Sequence, residues 1–202
     1  NQGPPAGYQR LDQTLQPWGV PIAWLPGNHD IRDRMIDTVG PDRLPRLIRL
    51  GNWAICMLDS AVPGKVGGEL GPNELDGLQS TLEALPADCH IVVCLHHQPV
   101  PVGSYWLDQQ QVVDSEQLFE VLGDEPRLRA IVWGHVHQEF SGSDARLPDV
   151  QLMASPSTCI QFAPDQPDFT IDAAMPGYRW FDLHPDGTLR TGVSRGEHVA
   201  LA

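Results

Sequence analysis

The chain has 202 residues, 41% of them hydrophobic, enough for one domain with a sizeable buried core. Thirteen basic residues against twenty-six acidic ones give a net charge of −13, which repels a phosphate backbone and argues against a nucleic-acid binder. No run approaches the roughly 20 consecutive apolar residues of a membrane span.

Residues 1–7 are a breaker-rich lead-in, and Tyr8, Leu11 and Leu15 form a helical stripe that predicts a short helix over Tyr8–Leu15. A strand is expected over Val20–Leu25, running into Pro26-Gly27-Asn28-His29-Asp30. The next helix, Ile31–Val39, is stopped by Gly40-Pro41. Strands Arg46–Leu50 and Trp53–Leu58 flank a Gly51-Asn52 turn, and residues 59–72, rich in Gly and Pro, form an exposed loop near the site. Asn73 is the expected cap of a helix whose Leu75, Leu78, Leu82 and Leu85 face the core. His90–Leu95 is nearly all apolar, as a strand covered on both faces should be. After His96-His97 come a long loop over 98–111, a helix over Ser115–Leu122 and the buried strand Leu128–Trp133.

Past Gly134–His137 only short strands follow: Val150–Ala154, Thr158–Phe162, and a hairpin of Tyr178–Leu183 with Thr188–Val193 about Asp186-Gly187. The tail from Gly196 is expected to be loose. No repeat or linker divides residues 1–202, so a single domain is expected. Alternating strands and helices followed by strands alone predict an α/β fold of two packed sheets with helices outside. Cys56, Cys89, Cys94 and Cys159 lack C-x-x-C spacing, and two of them sit inside apolar strands. Free thiols in a reducing cytosol are the expectation.

Five of the eight histidines fall in three loops, each at the predicted C-terminal end of a strand, where α/β sheets build their sites. These loops hold Asn28-His29, His96-His97 and Gly134-His135-Val136-His137. On extended backbone, side chains two residues apart share a face, so His135 and His137 can turn toward one spot. Imidazole and amide oxygen suit borderline divalent ions such as manganese, iron or zinc. A lone strand-end histidine is most often a hydrogen-bonded structural residue, and Gly-Asn-His-Asp is a good generic turn. The conjunction of three such loops is what points to a metal site.

Gly27-Asn28-His29-Asp30, Leu95-His96-His97-Gln98-Pro99 and Gly134-His135-Val136-His137 resemble the third, fourth and fifth motifs of the calcineurin-like metallophosphoesterases. Together with Trp24–Asp30, Ser104–Gln109, Gly134–Glu139 and Pro156–Phe162 they resemble the bacterial class III 3′,5′-cyclic AMP phosphodiesterases, over Tyr8 to Val193. The resemblance implies a four-layer α/β/β/α sandwich of two mixed sheets with a two-metal site on one edge. It also implies metal-dependent hydrolysis of 3′,5′-cyclic AMP to 5′-AMP. By motif, Asn28, His96 and His135 resemble the ligands of one metal and His137 a ligand of the other, with His97 the alternative to His96. His29 resembles the histidine that orients the phosphate and protonates the leaving 3′-oxygen, with Asp30 expected to hold its other nitrogen. Asn28, His29 and His137 are the expected substrate contacts.

The family pattern begins with an Asp-x-His and a Gly-Asp, and neither precedes Gly27. The expectation is therefore an N-terminally truncated domain with missing strands, short of most ligands of the first metal. Of the two ions in the complete family site, manganese or iron with zinc as the alternative, at most one is expected here, with little or no phosphodiesterase activity. The expected partner is a small cyclic nucleotide, with no nucleic acid and no membrane, in the cytoplasm. A homodimer, a swapped element or a separate N-terminal piece would cover the open sheet edges. The competing readings are a non-catalytic or regulatory binding remnant of the fold, and a phosphodiesterase for cyclic GMP or other phosphodiesters. Tyr105 and Trp106 are candidates to stack on a base. Thr158 is a weaker substrate candidate, and His90, His184 and His198 are assigned no role.

Overall fold

The apolar strands of the middle of the chain build the centre of the molecule, of which the computed structural model describes residues 3–197. In chain order the elements are α1 (Pro5–Leu15), α2 (Arg32–Val39), β1 (Leu47–Leu50), β2 (Trp53–Met57), α3 (Gly71–Ala84), β3 (His90–Leu95), α4 (Tyr105–Asp108), α5 (Ser115–Leu122), β4 (Leu128–Trp133), β5 (Phe140–Asp144), β6 (Leu147–Ala154), β7 (Gln161–Phe162), β8 (Ile171–Asp172), β9 (Gly177–Leu183) and β10 (Leu189–Arg195). Six strands form a mixed sheet in the order β1-β2-β3-β4-β6-β5. β2, β3, β4 and β6 are parallel, while β1 and β5 close the two edges antiparallel to their neighbours.

Alternation of side chains sorts the strands between two layers. Ile91, Val93 and Leu95 of β3 join Leu75, Leu78 and Leu82 of α3 and Leu118, Phe119 and Leu122 of α5 in the larger core. Val92, Ala130 and Met153 point the other way, against Leu189 and Phe181 of the β9–β10 hairpin. Leu128 and Ile131 share the helix-side core although they differ in parity, because the pairing of β4 with β3 shifts between Ile91 and Val92. The expected α/β layering is thus present. Among the described residues, the sheet packed on that second face is the antiparallel pair β9–β10, with Leu183 opposite Leu189, and a further two-stranded pair joins β7 to β8.

Several local expectations are corrected. Residues 20–25 form no strand and pair with none of the described strands; Trp24 N–H donates to the Arg43 carbonyl at 2.6 Å. Asn73 does not cap α3, which starts at Gly71 with Pro72 in its first turn. Its leading Leu70 and Gly71 N–H groups donate instead to the Asp114 carboxylate, at 2.9 and 2.7 Å. Thr158–Phe162 pairs only at Gln161–Phe162, since the buried Gln161 side chain donates to the Ser157 and Cys159 carbonyls and closes residues 157–161 into a loop. The strand β5 and the short helix α4 were not expected, and α1 begins three residues early, at Pro5. His198 and most of the predicted loose tail lie outside the described residues, while Gly196 N–H is held by the Pro176 carbonyl at 2.8 Å. Among the described residues, no helix is long and apolar enough to cross a membrane.

Candidate active site

Parallel neighbours β3 and β4 release their following loops at the same sheet edge, and the Gly134 N–H donates to the His96 carbonyl at 3.1 Å, fastening one loop to the other. His135 and His137 both have φ of +50°, the left-handed region that L residues enter at a cost of roughly 1–2 kcal/mol. Their convergence therefore comes from two left-handed residues rather than from extended alternation. Strained backbone of this kind concentrates at functional sites.

The Asn28-His29 loop arrives differently. Its turn is closed by Asp30 N–H to the Gly27 carbonyl at 2.9 Å. The Asp30 carboxylate accepts the Tyr8 hydroxyl and the Gly27 N–H, each at 2.9 Å, so it anchors the loop and does not orient the His29 ring as expected. Tyr8 belongs to a small apolar cluster with Met35 and Leu44 that holds this end of the chain together. Gly27 passes so close to His96 that a Cβ there would lie 2.6 Å from the imidazole.

Asn28, His29, His96, His135 and His137 line one cavity of about 230 Å³, together with Val66, Trp106, Leu107, Gln110 and Phe162. His96 Nε2 and Asn28 Oδ1 are 3.1 Å apart. A divalent ion displacing the proton between them would meet an imidazole and an amide oxygen already converged, so the donor chemistry fits a borderline metal. His137 Nδ1 donates to the Ile160 carbonyl at 3.0 Å, which leaves the Nε2 lone pair free, and its ring stacks on Phe162 at 4.3 Å and 6°. His96, His97 and His135 can bring ligand atoms within 4.8 Å of one another. Both nitrogens of His97 are nevertheless engaged. Nδ1 accepts the Ser60 hydroxyl at 2.9 Å and Nε2 donates to the Val66 carbonyl at 3.0 Å, in a fully buried pair with Ser60. His97 thus ties the 59–72 loop to the sheet and has no lone pair to spare.

Burial, then the neighbouring imidazoles His97 and His135, hold His96 well below its ordinary pKa. Burial likewise lowers His135 to about 3 and His97 to about 4, and pushes His137 down. At neutral pH these rings are uncharged and their lone pairs available. No carboxylate is among the residues lining the cavity.

Of the aromatic candidates, Trp106 lines the cavity edge-on to Phe162 at 5.1 Å, whereas Tyr105 is 67% exposed. Thr158 is exposed in the 157–161 loop and outside the cavity. His90 and the His184 carbonyl tie the hairpin to the start of the sheet strands, through the Pro185 carbonyl at 3.3 Å and the Trp53 indole N–H at 2.8 Å. Sequence reasoning missed Gln110, Phe162 and Val66, which reach the cavity only through the fold. Phe162 ends the Pro156–Phe162 motif and is the one with a usable signal.

Residues 3–139 match the calcineurin-like phosphoesterase family. The chain is 43% identical over 195 residues to the 3′,5′-cyclic adenosine monophosphate phosphodiesterase CpdA of Pseudomonas aeruginosa, covering 96% of this chain and 70% of that one. It is 38% identical over 193 residues to the protein of the same name from Escherichia coli K12, covering 94% and 69%. The crystal structure of a dimetal phosphatase from Danio rerio superposes with a TM-score of 0.62 at 12% identity, covering 75% of this chain and 67% of that one, which shows a shared fold. With a sheet edge, loops and family match in agreement, the chain belongs to the calcineurin-like phosphoesterases.

Proposed function

We propose that this chain carries the metal-dependent site that hydrolyses 3′,5′-cyclic AMP to 5′-AMP, a reading supported by relatives named 3′,5′-cyclic adenosine monophosphate phosphodiesterase. The observation that supports this reading is the meeting of Asn28, His29, His96, His135 and His137, drawn from three loops up to 109 positions apart (137 − 28), on one cavity. Asn28, His96 and His135 would hold one divalent ion, manganese or iron with zinc the alternative, and His137 would be a ligand of the other. When bound, the metal supplies Lewis-acid neutralisation of phosphate charge and a more acidic water. His29, exposed at the cavity rim, delivers the proton to the departing 3′-oxygen, and Asn28 and His137 orient the phosphate. Trp106 and Phe162 offer aromatic faces to the base. A cyclic nucleotide substrate and four free thiols are consistent with a reducing cytosol.

The four donors these loops supply are all neutral, so by themselves they would hold a divalent ion weakly. That feature keeps a non-catalytic binding protein as the second reading. Metal analysis after manganese loading, with cyclic AMP, cyclic GMP and a generic phosphodiester as substrates, decides between them. Cyclic AMP hydrolysis abolished by His29→Ala supports the first reading. Tight binding of the cyclic nucleotide with no hydrolysis at any metal concentration overturns it.

A further inference from the structure

Gln110 lies outside every motif and yet makes two directed contacts. Its Nε2 donates to the Trp106 carbonyl at 3.0 Å, and its Oε1 lies 3.0 Å from His135 Nε2. A carbonyl oxygen can only accept, so the amide nitrogen is fixed on the Trp106 side and the amide oxygen must face the histidine. An amide oxygen can only accept as well, so His135 Nε2 carries the proton and Nδ1 carries the lone pair. Both ends of one side chain are thereby determined.

We infer that Gln110 is a positioning residue that fixes His135 in the Nε2–H tautomer, so that this ring meets a cation through Nδ1. The same amide ties the α4 turn, which carries Trp106 and Leu107 into the cavity, to the histidine loop. His137 is set in the opposite sense by the Ile160 carbonyl on Nδ1, so the two histidines of Gly134–His137 present different nitrogens. Placement of α4 and availability of the His135 lone pair are coupled through one amide. The inference rests on the metal-site reading above for its consequence in binding, while the tautomer itself is a property of the metal-free chain.

Two measurements on the full chain separate these. In the ¹⁵N-labelled, metal-free protein, long-range imidazole spectra should show His135 protonated at Nε2. Gln110→Leu, at a half-buried position, should move it to a tautomer mixture, and Gln110→Glu, which keeps an acceptor oxygen, should preserve it. In a manganese titration, Gln110→Leu should bind about tenfold more weakly than the parent and Gln110→Glu within about threefold. A parent ring protonated at Nδ1 overturns the inference. So does Gln110→Leu binding manganese as tightly as the parent or more tightly, since Gln110 would then be an obstacle at Nε2. If the parent binds no manganese while the tautomer shifts as expected, the metal-site reading fails and the positioning of His135 by Gln110 stands.

Discussion

The two sides of the cavity are held by different physics. His96, His135 and His137 leave β3 and β4, parallel strands with both faces buried, and their loops are joined by a backbone hydrogen bond. Asn28 and His29 hang on a loop with no paired strand behind it, anchored by Asp30 to Tyr8 and Gly27 and by a small apolar cluster. One side inherits the rigidity of the domain core, and the other is placed by a few polar contacts. Local opening should therefore be easier on the Asn28 side, because protection follows buried contacts and paired backbone.

Substitutions can sharpen or break this contrast. The largest effect is expected under the sheet: Leu122, fully buried on α5, should cost about 2–5 kcal/mol as Leu122→Ala. Chemical denaturation measures it, and manganese affinity of the folded fraction should not change. Gly27→Ala acts where the two sides touch. Its methyl would lie 2.6 Å from the His96 ring. A manganese affinity loss of roughly 100-fold should accompany about 1–3 kcal/mol of destabilisation. Retention of full affinity would mean the sides are not in register through this contact. Tyr8→Phe removes one of two donors to the Asp30 carboxylate and should cost about 1–2 kcal/mol. Hydrogen exchange should accelerate at residues 26–31 and stay unchanged in β3 and β4; a uniform acceleration would dissolve the distinction.

The smallest effect is electrostatic and far from the cavity. A hydrogen bond from the Arg127 guanidinium holds the Glu125 carboxyl below its ordinary pKa, and Arg127 also donates to the Leu82, Leu85 and Pro86 carbonyls at the end of α3. With the folded value depressed, the stabilisation is fully present above the ordinary carboxylate pKa and is lost as pH falls through the folded one. Arg127→Ala should flatten that acid limb in pH-dependent melting curves. An unchanged limb would assign it to other carboxylates.

The same contrast explains what was legible in the sequence. β2, β3, β4, α3 and α5 announce themselves, because strands buried on both faces and helices with one apolar stripe follow simple periodicities. Val20–Leu25 has the right residues for a strand, but strand formation needs a partner and none of the described strands pairs with it. β5, Phe-Ser-Gly-Ser-Asp, is a mostly exposed edge whose pairing with β6 no hydrophobic pattern records. Asp114 in place of Asn73 at the start of α3 is a contact across 44 positions, invisible to rules about local caps. At the cavity, the histidines and Asn28 were readable from motif order. Gln110, the Ser60–His97 pair and the Phe162 stack arise only once the loops are folded together.

Among the five histidines of the three loops, His29 alone is exposed to water. A group that surrenders a proton in each cycle must be recharged before the next, and bulk solvent is the only abundant source. Rings that bind a cation have the reverse requirement, since water and protons compete for their lone pairs. Asp30 bonds Tyr8 and Gly27 rather than the His29 ring, so in the proposed role that ring would draw its proton from solvent and not from a carboxylate partner.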